Sequence, residues 1–232
     1  MSAMLVLGWW TLQAQPVTVT GSISLVREGR GAAQTQDNSS AVVSLKPVGG
    51  AAPQAQRGPV RPRYQMLQHH KHFEPHLLAI PVGTMVEFPN LDPFFHNVFS
   101  MFDGNRFDLG LYESGKSHTV TFSKPGISYI FCNIHPEMSA VVVVLDTPYF
   151  AVSDRAGEFS IANVASGTYL LSVWHERGRP QRPDQLPREV AISPDTASFG
   201  VIRLVDSGQL SIPHKNKYGH DYESPAPPMV YK

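Results

Sequence analysis

Cys132 opens the run Cys132-Asn133-Ile134-His135-Pro136-Glu137-Met138, and His96 stands upstream in Phe94-Phe95-His96-Asn97-Val98-Phe99. One thiol, two imidazoles and one thioether form a donor set that suits copper in both of its oxidation states, because soft sulfur and imidazole nitrogen together accommodate each. Cys132 is the only cysteine among the 232 residues. No internal disulfide is open to it, so it is a reactive thiol, a buried small residue or a metal ligand. Zinc fits this donor set less well, since it seldom takes a thioether and its structural sites usually gather several cysteines. The plain alternative is a core with no metal function, because free cysteine and methionine are often simply buried.

Such donors need a scaffold, and the Cys-x-x-His-x-x-Met spacing does not put all three on one helical face. A loop at the end of a strand wraps them around one point. Ser128–Phe131 reads as the entering strand and Ala140–Leu145 as the leaving one, both rich in β-branched or aromatic residues. Pro136 stiffens the loop between them.

This stretch resembles the cupredoxin family, in particular its plastocyanin and amicyanin group, over roughly residues 73 to 146. The Cys132 to Met138 spacing is similar to the amicyanin loop, and His96-Asn97-Val98 is similar to the plastocyanin run that supplies the remaining histidine. The resemblance implies that His96, Cys132, His135 and Met138 bind one type 1 (blue) copper, with Met138 as a weak axial ligand. It implies that Asn97 ties the two ligand-bearing loops together. It also implies a surface-near His135 within an apolar patch, for which Phe94, Phe95, Pro136 and Phe99 are the residues at hand.

The rest of the chain reads as strands. Val17–Leu25 alternates apolar and polar residues, and Ala41–Leu45, His76–Ile80, Met85–Phe88, Asn97–Phe99 and Ser117–Phe122 are further candidates between turn signals. Residues 48–65 form a Gly, Ala, Pro, Gln and Arg mixture without periodicity, the signature of a linker. After Leu145 a hairpin around Asp154-Arg155-Ala156-Gly157 precedes strands at Tyr169–Trp174, Glu189–Ile192 and Phe199–Leu204. Asp154-x-x-Gly157-x-Phe159 followed by Gly167-Thr168-Tyr169 resembles the carboxypeptidase regulatory-like module, a transthyretin-like β-sandwich without a catalytic centre.

The expected fold is therefore all-β: a cupredoxin Greek-key β-sandwich over 66–146 and a smaller regulatory-like sandwich over 147–205. An isolated hairpin is marginal in water. Residues 16–47 are accordingly expected to complete the C-terminal sandwich, the rival being that they extend the cupredoxin sheet. Residues 206–232 read as an irregular tail that wraps the surface. Residues 1–15 resemble the later part of a secretory signal, with an apolar stretch too short to span a bilayer and no basic residue before it. A buried first strand is the alternative. Chains combining these two modules resemble bacterial proteins labelled methylamine-utilisation-like.

Charge excludes some partners. Nineteen basic and nineteen acidic residues give zero formal net charge, which offers nothing to nucleic acid or an anionic membrane. His69, His70 and His72, with His76 nearby, are a candidate second metal cluster, against which Lys71 and a solvated location weigh. Four protein ligands leave no open position for substrate. The expectation is thus a non-enzymatic, exported, periplasmic one-electron carrier that meets a redox partner transiently. Copper delivery, buffering or sensing is one alternative, and an interaction or carbohydrate-binding sandwich with a vestigial cupredoxin is another.

Overall fold

The computed structural model describes residues 15–27, 37–49, 63–101, 104–182, 185–208 and 215–222. Residues 1–14 of the signal-like segment and residues 50–62 of the expected linker lie outside them. Among the described residues the chain is all-β, with a single 3-10 turn at Pro194–Thr196.

Two strands come first, β1 (Val17–Arg27) and β2 (Val42–Pro47). The central group runs through β3 (Tyr64–Gln65), β4 (Leu67–His69), β5 (His72–Glu74), β6 (Leu77–Pro81), β7 (Thr84–Pro89) and β8 (His96–Ser100). It continues with β9 (Phe107–Tyr112), β10 (Ser117–Phe122), β11 (Gly126–Phe131) and β12 (Ser139–Leu145). The last group is β13 (Phe150–Val152), β14 (Glu158–Val164), β15 (Gly167–Trp174), β16 (Gly178–Pro180), β17 (Arg188–Ile192) and β18 (Ser198–Asp206).

Strand pairing sorts these into two sandwiches. β1 pairs antiparallel with β14 and parallel with β18, and β2 lies between β13 and β15, giving the sheets β14-β1-β18-β16 and β13-β2-β15-β17. Val19, Ile23 and Leu25 of β1 meet Val43 and Leu45 of β2, Phe159, Ile161, Leu171 and Leu204 in one core between them. The chain leaves this sandwich after β2 and returns to it at β13. Gly157 makes the β13–β14 corner possible: its φ is +89°, and a Cβ there would stand 2.1 Å from the Ile23 carbonyl oxygen. Ile23 N–H donates to the Gly157 carbonyl at 2.8 Å across that same approach.

The central sandwich faces sheet β10-β7-β3 against sheet β6-β12-β11-β8-β9. Val86, Phe88 and Phe122 fill its core with Val98, Ile130, Ala140, Val142 and Val144. The unbroken apolar run of β12 has a reason in this arrangement. Ala140, Val142 and Val144 point into the central core, while Val141 and Val143 pack with Val42, Trp174 and Tyr129 on the other side. A strand covered on both faces gains from apolar residues at every position, each buried valine contributing about 1.5–3 kcal/mol.

The linker expectation is corrected at its end. Tyr64 and Gln65 form β3, parallel to β7, and Leu67–Glu74 fold as the β4–β5 hairpin, in which His70, Lys71 and His72 are exposed to solvent. Strands β9 and β16 were also not anticipated.

Candidate metal centre

Three strands and their loops converge at one end of the central sandwich. Phe131 at the end of β11 is paired with Phe99 of β8, which brings the Cys132 loop beside His96 at the start of β8. The loop then closes on itself: Met138 N–H donates to the His135 carbonyl at 3.0 Å, and Cys132 N–H to the Met138 carbonyl at 3.1 Å. A seven-residue excursion is thereby pinned at both ends, with Cys132 and Met138 buried and Ile134, Pro136 and Glu137 exposed.

The donor geometry follows. Cys132 Sγ lies 3.8 Å from His96 Nδ1 and 3.6 Å from His135 Nδ1. The two imidazoles are edge to face with centroids 4.8 Å apart. The three donor atoms lie within 4.8 Å of one another, a group that could hold a metal ion. Cys132 and His96 are fully buried, and His135 is half-buried. Met138 is fully buried in the same core cluster as Cys132.

Asp92 decides how His96 presents itself. Its Oδ2 accepts from His96 Nε2 at 2.8 Å, so the ring proton sits on Nε2 and the Nδ1 lone pair faces the thiol. The same carboxylate accepts the amide N–H of His70 at 2.7 Å and of Lys71 at 2.9 Å. Burial works to raise the Asp92 carboxyl, but these amides and the His96 ring outweigh it and hold it below its ordinary value. Asn90 shapes the loop beneath, its Oδ1 accepting from Asp92 N–H at 3.0 Å and its Nδ2 donating to the Phe94 carbonyl at 2.8 Å. His135 is held below its ordinary pKa by burial, then by His96 and Lys71. Its imidazole is therefore kept neutral, the form a metal requires.

The four residues singled out from the sequence thus lie together, three as a donor group and Met138 as a buried neighbour. Several other readings need correction. Asn97 does not reach the Cys132 loop among the described residues: its Nδ2 donates to Asp108 Oδ1 at 2.8 Å and to the Gly110 carbonyl at 2.9 Å, and its buried Oδ1 has no partner. Phe99 is buried against Phe131 and takes no part in a surface patch, whereas Phe94 and Phe95 are 37% and 55% exposed and Pro136 is exposed.

The histidine cluster is also rearranged. His70 and His72 do not share a strand face, because His70 and Lys71 are the left-handed tip of the β4–β5 hairpin and His72 pairs with His69. His76 is engaged elsewhere, its Nδ1 with the Ser139 carbonyl at 3.1 Å and its Nε2 with Glu176 at 2.7 Å. The grouping that could hold a cation is instead His69, His70 and Glu74, with the two rings stacked at 3.7 Å.

Sequence reasoning missed Asp92, Asn90, Asp108, Lys217 and Tyr222. For Asp92 the signal was present, an acidic side chain four residues before His96 in a proline-containing turn. Tyr222 lay in the expected tail, yet its hydroxyl donates to the Cys132 carbonyl at 2.9 Å. Burial, and then the neighbouring Cys132, push its phenol up to about 12, so it remains a donor at neutral pH.

Comparison with known proteins gives copper proteins as structural neighbours. No family model and no curated protein matches the chain. A copper-containing nitrite reductase from Thermus scotoductus is 27% identical over 41% of this chain and 25% of its own, at a TM-score of 0.35. This chain therefore spans about a quarter of that one's length. A purple cupredoxin from Nitrosopumilus maritimus is 24% identical over 35% of this chain and 99% of its own, at 0.32. A reduced P94F amicyanin is 20% identical over 44% and 99%, at 0.34. At these TM-scores the likenesses settle neither family nor activity, and the functional case rests on the residues of the site.

Proposed function

We propose that this chain holds one copper ion of the type 1 (blue) kind and passes single electrons between partner proteins. The observation that carries this reading is the convergence of Cys132 Sγ with two imidazole Nδ1 atoms at 3.6 and 3.8 Å, one of them set in its tautomer by a buried carboxylate. His96, Cys132 and His135 would hold the ion and Met138 would add the thioether. Bound copper supplies a one-electron change between its cupric and cuprous forms.

The chain's own residues do the rest. Asp92 fixes the His96 ring, the Cys132-to-Met138 backbone bonds fix the loop, and β8 is buried along its whole length. Ligands held this firmly change position little when charge changes. Phe94 lies 5.8 Å from the His135 ring, and Phe94 and Phe95 offer a small apolar surface of the kind suited to a transient redox encounter. We read the chain as a carrier and not an enzyme, because His96, Cys132, His135 and Met138 would together leave no open position for a substrate. The β1–β18 sandwich, with its regulatory-like Asp154-to-Phe159 corner, would hold and present the metal domain. No helix among the described residues is long and apolar enough to cross a membrane, and export to the periplasm is part of the proposal.

A second reading, copper buffering or delivery, is favoured by the His69, His70 and Glu74 grouping on the hairpin whose tip grips Asp92. Copper titration with an optical spectrum separates the two. One equivalent bound with an intense thiolate-to-copper visible band, lost in Cys132→Ser while the strand content is kept, supports electron transfer. Several exchangeable equivalents without the band support buffering, and the band surviving in Cys132→Ser refutes the site.

A further inference from the structure

In the cupredoxin-type arrangement expected from the sequence, Asn97 links the His96 loop directly to the Cys132 loop. In this structure it does not, and the connection is made by a different route. Asn97 Nδ2 donates to Asp108 Oδ1, Asp108 Oδ2 accepts from Lys217 Nζ at 2.7 Å, and Lys217 N–H donates to Asn133 Oδ1 at 2.9 Å. Asn97 follows His96 in sequence and Asn133 follows Cys132. Four residues from three parts of the chain thus form a relay between the two loops, and the third part lies beyond β18.

The segment that carries Lys217 is internally organised. Asn216 Oδ1 accepts the N–H groups of Tyr218 and His220 at 3.0 and 3.1 Å, and Asn216 N–H donates to the His220 carbonyl at 2.8 Å, closing a tight turn with Gly219 at φ +79°. That turn presents Lys217 toward Asp108 and Asn133 and lets Tyr222 return to the loop, where its hydroxyl donates to the Cys132 carbonyl at 2.9 Å. Both residues are partly buried, while Lys215, Tyr218 and Asp221 face solvent.

We propose that residues 215–222 are a clamp on the metal loop, with Lys217 and Tyr222 as positioning residues that hold Cys132 and Asn133 in register with His96. The proposal rests on the metal reading above for its purpose, but the clamp itself is a property of the apo chain. Tyr222 and Lys217 act on the backbone carbonyl and the neighbour of the thiol-bearing residue, leaving His135 and the Phe94 side of the loop free to meet a partner.

The test uses the full-length chain with Tyr222→Phe, Lys217→Met, Lys217→Arg and, as a control, Lys215→Met. Amide hydrogen exchange across residues 132–138 of the apo-protein is the first readout, and the rate of copper loss to excess chelator is the second. Tyr222→Phe and Lys217→Met should each quicken loop exchange and copper loss about fivefold, the worth of one net hydrogen bond. Lys217→Arg should restore much of the difference, Lys215→Met should match wild type, and exchange in the β1–β18 sandwich should be unchanged in all four. Loop exchange in both Tyr222→Phe and Lys217→Met within about twofold of wild type would overturn the clamp. Quickened exchange in a chain that takes up no copper would support the clamp while refuting the metal reading.

Discussion

Asp92→Asn asks more of the site than any ligand replacement, because it leaves the shape intact and changes only what the side chain can accept. Asp92 is 3% exposed and takes three hydrogen bonds, from His96 Nε2, His70 N–H and Lys71 N–H. Removing the carboxylate altogether, as in Asp92→Ala, leaves a fully buried ring N–H without a partner, a cost of about 1–3 kcal/mol, and frees two hairpin amides that water can partly satisfy. Asn with its amide oxygen at the Oδ2 position keeps two of the three bonds, from His96 Nε2 and Lys71 N–H, and turns its NH2 toward the His70 amide, whereas the opposite orientation would keep only the His70 bond. The His96 proton then stays on Nε2 and Nδ1 still faces Cys132 Sγ, so the variant removes the negative charge and one amide acceptor.

The two variants therefore separate in two measurements. In urea unfolding of the apo-protein, Asp92→Asn should lose less than Asp92→Ala, since it keeps the His96 ring bond and the Lys71 amide bond. In competitive metal titration, Asp92→Ala should fall by about 10–100-fold, the usual worth of an outer residue that orients a ligating histidine, and Asp92→Asn by less. A metal affinity for Asp92→Asn as low as that of Asp92→Ala would show that the acceptor at His96 Nε2 is not what Asp92 contributes.

Met138→Leu should keep the visible band and raise the reduction potential, read by redox titration, since a polarisable thioether is removed from the cupric form; an unchanged or lowered potential would mean that Met138 is not an axial donor. His76 is held above its ordinary pKa by its hydrogen bond to Glu176, against the opposing effect of burial, with the Glu176 charge and the Ser139 carbonyl adding to the rise. The folded chain thus binds that proton more tightly than the unfolded one, so the stability advantage of wild type over His76→Gln should be fully present below about pH 6.5 and disappear as pH rises through the raised value. A difference that grows with pH in parallel urea series would contradict this. Gly157→Ala should cost at least about 2 kcal/mol, because a positive φ and a backbone oxygen 2.1 Å from the new Cβ act together; a loss under about 1 kcal/mol by urea midpoint would mean that the corner relaxes freely.

What the sequence disclosed depended on how local the determining contacts are. The Cys132 loop was legible because donors, flanking strands and Pro136 lie within a short run, and Ser117–Phe122 was read to its ends because alternation and its bounding turns are local too. Strand β9 was missed although Phe107, Leu109 and Leu111 alternate with Asp108 and Gly110. What the sequence did not disclose is that Gly110, at φ +71°, switches the buried face, leaving Leu111 exposed and Tyr112 buried. The β4–β5 hairpin carries none of the Asn-Gly chemistry that such turns usually need. His70 and Lys71 stand at φ 54° and 60° with only Asp92, far along the chain, to accept their amides. Lys217 and Tyr222 were unreadable for the same reason: their partners are set by the folded chain and not by neighbours.

The two-sided burial of β12 carries one more consequence. Met138 precedes this strand, and its first residue, Ser139, gives its carbonyl to His76, whose other nitrogen meets Glu176 just beyond β15. Val141 and Val143 then pack on Val42 and Trp174 of the neighbouring sandwich. The strand that ends the metal loop is therefore gripped by both sandwiches within a few residues of Met138, while Tyr222 and Lys217 grip the loop's other end at Cys132 and Asn133. In this chain the second sandwich and the C-terminal segment act on opposite ends of one seven-residue loop, which gives a physical reason for joining them in one polypeptide.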